Sequence, residues 1–224
     1  MKSVVRLVFV MVALTGLSTS AIAAGSLNGL VRDAQLRPGE ILFVNGGTGG
    51  VGSAVVQMAR ALGARVITTA GSDERVAQCL KLGAHVALNY HRPDLDEQIR
   101  AAAPQGVHVW WETLREPNFD RTVSLLAERG RMILMAGREA RVPFPVGPFY
   151  VKGCTLKGFV MFLATPAEQE AAAADINRWT AANQLQVRID RVLPLAEAAA
   201  AHRLQQENTV DKAGTLAGKI VLQP

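Results

Sequence analysis

The sequence predicts an α/β protein built on a doubly wound parallel sheet of six strands, with helix and strand additions at the C-terminal end. Three observations predict it. Short apolar runs rich in β-branched and aromatic residues alternate with helical patterns at regular spacing. A glycine-rich turn, Gly46-Gly47-Thr48-Gly49-Gly50-Val51-Gly52, joins the first such strand to its helix. Composition fits a globular chain, 49% apolar and 19% charged over 224 residues, which is one large domain or one and a half.

Residues 1–24 admit two readings. Lys2 and Arg6 ahead of Leu7 to Leu14, with Ala21-Ile22-Ala23 behind, spell a secretory signal peptide. Alternatively, a helix that belongs to the fold opens at Leu14 and only residues 1–13 are extraneous. Either way the apolar run is too short and too interrupted by Gly16, Ser18 and Ser20 to be a stable membrane span. The leading helical segment is 14–36, the nucleotide-binding domain 37–165, and residues 166–224 complete it.

Arg37-Pro38-Gly39-Glu40 is a turn delivering the chain to strand Ile41–Asn45. Past the glycines, Val51, Val55, Val56, Met58, Ala59 and Leu62 form one helical face. Strands follow at Arg65–Thr69, His85–Leu88, Val107–Trp111 and Arg131–Met135, with helices between them starting near Asp73, Asp94 and Asn118. Three prolines within Pro143–Pro148 mark an irregular loop in which Tyr150 reads as a packing residue, and Thr155–Met161 is the sixth strand. Pro166 suits a helix start, leading into a helix over 167–182. The tail reads strand (Val187–Leu193), helix (Leu195–Gln206) and strand (Lys219–Leu222).

The turn matches G-x-G-x-x-G at Gly47, Gly49 and Gly52. In a dinucleotide fingerprint the first glycine permits the tight turn, the second lets backbone approach a pyrophosphate, and the third lets helix pack on strand. The helix N-terminus then offers N–H groups and partial positive charge to the anion. Gly47, Thr48, Gly49, Gly50, Val51 and Gly52 are therefore candidate cofactor-binding residues. A P-loop is excluded, since Ser53-Ala54 stands where Lys-Ser/Thr is required. An NAD site places a carboxylate at the end of the second strand, but here Ala70-Gly71 is followed by Ser72 and, at 75, Arg75. A hydroxyl and a guanidinium suit a 2′-phosphate, so NADPH is the expected cofactor; Asp73 and Glu74 weigh against it.

Net charge is +5, yet the 24 basic residues are scattered and no aromatic-lined basic groove is legible, which disfavours nucleic acid as a partner. Cys79 and Cys154 lack C-x-x-C spacing, and His85, His91, His108 and His202 form no H-x-x-x-H pair, so no metal site is expected. Tyr150-Val151-Lys152 has the wrong spacing for the Tyr-x-x-x-Lys of short-chain dehydrogenases.

Leu36-Arg37-Pro38-Gly39-Glu40, Val44 to Ser53, Ala61-Leu62-Gly63-Ala64, Gly71 to Arg75, Leu82-Gly83-Ala84, Asn89-Tyr90, Gly130-Arg131 and Gly218 to Leu222 follow in an order that resembles the medium-chain dehydrogenase/reductase superfamily, and within it the zinc-independent NADPH:quinone oxidoreductase branch. The resemblance covers roughly Leu14 to Pro224. It implies a Rossmann domain in which Gly71, Ser72, Arg75 and Tyr90 hold the 2′-phosphate end of NADPH, while Thr19, Gly137, Phe159, Val160 and Met161 lie near the nicotinamide. It implies hydride transfer to a small-molecule quinone or α,β-unsaturated carbonyl, without zinc, in the cytoplasm. Glu112 departs from the aspartate common after the fourth strand; a general-acid role and a structural hydrogen bond are both open to it. Family members begin with a GroES-like catalytic domain of roughly a hundred residues or more, and this chain has no room for one. The alternative is therefore a truncated, non-catalytic NADPH-binding domain, or an exported protein if the signal peptide is real. Tail strands left without that domain would expose an apolar edge and favour homo-oligomers.

Overall fold

The structure is a computed structural model describing residues 25–209, 213–216 and 218–224. One compact unit runs as far as Gln186, and a second begins at Val187.

The larger unit is a six-stranded, all-parallel sheet: β1 (Ile41–Val44), β2 (Arg65–Ala70), β3 (Val86–Asn89), β4 (Val107–Glu112), β5 (Leu126–Leu134) and β6 (Thr155–Gly158), in spatial order β3-β2-β1-β4-β5-β6. This is the Rossmann arrangement, with its switch point between β1 and β4. The intervening helices are α1 (Gly52–Ala61), α2 (Asp73–Lys81), α3 (Leu95–Ala102), α4 (Phe119–Leu125), α5 (Val146–Val151) and α6 (Pro166–Ala181).

Successive side chains of a strand point to opposite faces, and here both faces are covered. Val44, Trp111 and Ile133 enter a core shared with Val55 and Met58 of α1 and Ile176 and Trp179 of α6. Their neighbours Phe43, Trp110 and Met132 enter a second core with Leu95 and Ile99 of α3 and Phe119 of α4. Continuous apolar strands are the consequence, and Leu42, Phe43 and Val44 have no exposure at all. Each such burial is worth about 1.5–3 kcal/mol. Phe43 also stacks on Trp110 across the β1–β4 pair, ring centroids 3.9 Å apart.

Several boundaries differ from the sequence reading. The segment expected as a proline loop forms α5, because Pro148 is its third residue, where a helix has no acceptor for a backbone N–H. Tyr150 lies on that helix 70% exposed, so it is not a packing residue. β5 begins at Leu126, with a shift of register against β4 and Arg129 at φ 56°. β6 stops at Gly158, and Met161–Leu163 is a 3₁₀ turn. Ahead of β1, helical residues 25–28 pass into a π-helical turn, Gly29–Asp33. Asp33 there is buried and pairs with Arg32 at 2.7 Å and Lys157 of β6 at 3.1 Å. Burial pushes its carboxyl up, but hydrogen bonds from both cations outweigh that and hold it below its ordinary value.

Lys152 closes the α4–β5 junction, its Nζ donating to the carbonyls of Val123, Ser124 and Leu126. These carbonyls are at or just beyond the end of α4, where backbone acceptors have no helical donor.

The smaller unit pairs β7 (Ile189–Pro194) with β8 (Lys219–Gln223) in parallel and carries α7 (Ala198–Thr209). Ile189 and Val192 of β7 are more than half exposed.

Candidate functional site

The C-terminal ends of β1, β2 and β4 meet at the glycine turn. The left-handed residue is Gly46, at φ +72°, one position before the glycine that the sequence pattern assigns to the tight turn. Gly47 and Gly52 are glycines for another reason. A Cβ on Gly47 would stand 2.3 Å from Thr68 Oγ1 and 2.9 Å from Cys79 Sγ, and one on Gly52 would stand 2.1 Å from the Gly46 carbonyl oxygen. The floor under the turn is full. Burial pushes the Cys79 thiol up to about 11, leaving it a protonated packing group.

Above the floor the turn is open. Gly49 and Gly50 are exposed, Thr48 and Val51 half-buried, and a Cβ on Gly49 would meet only the Gly46 carbonyl oxygen, at 3.4 Å. No side chain caps α1, which starts at Gly52 behind Val51. The amides of Ser53 and Ala54 donate to the Gly49 and Val51 carbonyls at 2.9 and 3.1 Å, and the positive end of the helix, reached across a residue without a Cβ, fits a pyrophosphate.

At the end of β2, Gly71 lies under Tyr90: a Cβ there would stand 2.4 Å from the tyrosine hydroxyl. Ser72 caps α2, its Oγ accepting from the Arg75 amide at 3.3 Å, and Arg75 is half-buried. Asp73 accepts from Asn89 Nδ2 at 2.8 Å and faces Arg92 at 3.8 Å. No carboxylate stands at the strand end itself, where Ala70 is buried.

On the other side of the switch point, Gly137 follows β5 at φ +83°, where a Cβ would lie 2.5 Å from the Arg115 carbonyl oxygen. Phe159 follows β6, its amide donating to the Leu134 carbonyl at 2.9 Å. Its buried ring packs 5.6 Å from Trp111. Val160 is 42% exposed and Met161 half-buried. Thr19 lies outside the described residues. Among the described residues, Gly25 and Gly29 come to this edge. A Cβ on Gly25 would stand 2.7 Å from Met161 Cβ, and one on Gly29 would stand 2.5 Å from the Trp111 ring. Their four-residue spacing on a helix was the available signal.

Glu112, at the end of β4, is 1% exposed. Its Oε1 and Oε2 accept from Asn45 Nδ2 at 3.0 and 3.2 Å, Oε2 accepts from Trp110 Nε1 at 3.1 Å, and Oε1 from the Leu114 amide at 2.8 Å. With these acceptors occupied, a structural hydrogen bond describes Glu112 better than a general acid. Asn45 Oδ1 accepts from Thr69 Oγ1 at 3.4 Å, and that hydroxyl accepts from the Gly46 amide at 3.1 Å. The Gly47 amide donates to the Thr69 carbonyl at 2.8 Å. Among the described residues no three His, Cys, Asp or Glu cluster as metal ligands, and no helix is long and apolar enough to cross a membrane.

A family model described as zinc-binding dehydrogenase matches residues 50–178. Quinone oxidoreductase of Sus scrofa is 32% identical over 196 residues, an alignment that covers 86% of this chain and 57% of the relative. An NAD-dependent alcohol dehydrogenase structure superposes with TM-score 0.79 at 26% identity, covering 91% of this chain and 57% of its own. CurA of Vibrio vulnificus, solved in complex with NADPH, superposes with TM-score 0.75 at 25% identity, covering 89% and 61%. The chain thus spans little more than half the length of the quinone oxidoreductase that it matches.

Proposed function

This chain belongs to the zinc-binding dehydrogenase family, and from that premise we propose that it binds NADPH and serves hydride transfer to a quinone or α,β-unsaturated carbonyl, without zinc. The observation that carries the reading is the pairing of an open glycine turn at the switch point with a β2 end that offers Ser72 and Arg75 in place of a carboxylate. Similarity to quinone oxidoreductase and to a structure holding NADPH supports it. The zinc-free part rests on the quinone reductase resemblance and on the wide spacing of the cysteines and histidines.

When bound, NADPH supplies the hydride, and the protein supplies orientation and exclusion of water. Gly49 and the start of α1 would take the pyrophosphate, and Ser72, Arg75 and Tyr90 the 2′-phosphate. Gly137, Phe159, Val160 and Met161 would border the nicotinamide end. The substrate is a small molecule, the setting cytoplasmic, and the exposed apolar residues of β7 favour self-association. A second reading, cofactor binding without turnover, is favoured by the full occupation of Glu112, the one carboxylate raised as a proton donor.

A fluorescence titration with NADPH and NADH tests the proposal. Saturable binding should favour NADPH, and Arg75→Ala should weaken NADPH by about tenfold or more, as loss of a charge-assisted phosphate contact does, while sparing NADH. Binding of neither nucleotide would refute it. Stopped-flow oxidation of bound NADPH by a simple quinone separates turnover from binding alone.

A further inference from the structure

Glu112 poses a problem of charge. Its carboxylate is buried, and its four hydrogen bonds all come from neutral N–H groups. Burying an ion at such a site is costly, and an uncharged residue would avoid the cost. What a carboxylate provides that an amide does not is pure acceptance: it has no proton to offer.

That property sets the direction of a longer chain of bonds. Facing an acceptor, Asn45 must turn its Nδ2 toward Glu112, which leaves its Oδ1 toward Thr69. Thr69 must then spend its hydroxyl proton on Asn45, which leaves its lone pairs to the Gly46 amide. With Gly46 so held and Gly47 tied to the Thr69 carbonyl, the two residues that begin the turn are both referred to the end of β2. Thr113 Oγ1 adds a bond to the Asn45 carbonyl at 2.9 Å, so β4's end also grips the backbone entering the turn. Reversing Asn45 would turn its Oδ1 against the Glu112 carboxylate, a buried acceptor facing an acceptor.

We propose that Glu112 is a positioning residue for the glycine turn, an acceptor-only carboxylate that sets the direction of the hydrogen-bond chain through Asn45 and Thr69 to the Gly46 amide and so shapes the face that Gly49 offers to a dinucleotide. Its bearing on the cofactor rests on the NADPH reading above; its bearing on the turn does not. Glutamine at 112 keeps the shape but turns an NH₂ group toward at least one of the three donors, allows the Asn45 amide to flip, and releases the Thr69 hydroxyl from Asn45, which loosens the acceptor that holds the Gly46 amide.

The test uses the full chain with E112Q, read first without nucleotide by amide hydrogen exchange. Exchange over residues 45–52 should rise about tenfold or more, as loss of one net hydrogen bond predicts, while β5 and β6 keep their protection. Affinity for NADPH should fall by a similar factor, and affinity for adenosine 2′,5′-bisphosphate, which lacks the pyrophosphate, should hold. Unchanged exchange in the turn overturns the proposal, as does a uniform rise across the sheet, which would make Glu112 a general structural residue. If E112Q does not fold, Asn45→Ala, which cuts the chain and leaves the carboxylate in place, decides by the same two patterns. Wild-type chain that binds no NADPH would sink the cofactor reading and leave the exchange result to judge Glu112.

Discussion

Glycine is required at both ends of the candidate cofactor site, for reasons that differ in kind. At the turn, the space that a Cβ would need is filled by backbone and by buried side chains: the Gly46 carbonyl against Gly52, and Thr68 and Cys79 against Gly47. At the end of β2, the space beside Gly71 is filled by the tip of Tyr90, a ring 49% exposed. The first obstacle cannot move without unseating β1 from α1. The second can swing into water. The turn is therefore a fixed feature of the fold, whereas the end of β2 is adjustable, and under the proposed NADPH binding the choice between nucleotides falls to the softer of the two.

The largest effect should come from Gly52→Ala. A methyl group 2.1 Å from a backbone oxygen forces helix and turn apart, and destabilisation of about 3 kcal/mol in urea unfolding is expected, with loss of NADPH binding. Gly49→Ala sharpens the contrast within the same loop. Its Cβ meets one atom, at 3.4 Å, so stability should stay within about 0.5 kcal/mol while NADPH affinity drops. If Gly49→Ala proved as destabilising as Gly52→Ala, the separation of floor from open face would be wrong.

Gly71→Ala should be milder. Displacing Tyr90 should cost under about 1 kcal/mol in thermal unfolding, because the ring relocates to solvent, and should lower the preference for NADPH over NADH severalfold. A loss comparable to that of Gly52→Ala would break the comparison.

The smallest effect lies at the opposite end of β2 and serves as a control. His85 Nδ1 accepts from the Val66 amide at 2.9 Å, and its Nε2 lies 2.7 Å from Arg60. Burial, then the charges of Arg60 and Arg65, lower its pKa. The folded chain thus resists a proton that the unfolded chain accepts. His85 therefore favours folding above its unfolded pKa of about 6.5, and that contribution is lost as pH falls through the lower folded value. His85→Gln should flatten the pH dependence of stability slightly across that range and leave NADPH affinity unchanged.

How much of this was legible in sequence follows from where the cause of each feature lies. Strand β1 was readable because both faces are buried and its apolar run is continuous, and β2 and β4 because their buried residues are mostly β-branched or aromatic. Helix α5 was not, because three prolines suppress the helical reading even though Pro148 falls at a position that tolerates it. The glycine fingerprint was plain, but not which glycine turns left-handed: Gly46 and Gly47 are chemically identical, and the distinction comes from Thr68 and Cys79, supplied by β2 and α2. The role of Glu112 was hidden for the same reason, since its partner Asn45 lies 67 residues away and the contact exists only once β1 and β4 are paired. Ser72 as a cap was within reach of local reasoning, and Gly25 and Gly29 would have been so had their spacing been weighed.

The stack of Trp110 on Phe43 has one more consequence. The same indole that packs against the central strand donates its N–H to Glu112, so the chromophore sits between the sheet core and the network that governs the turn. Its emission colour and lifetime depend on that bond and on the polarity around it, which makes Trp110 a native optical gauge of the turn. Nucleotide arrival, or the loss of the carboxylate, should register as a spectral change in the unlabelled chain, and replacing Trp110 by phenylalanine would show how much of the signal is its own.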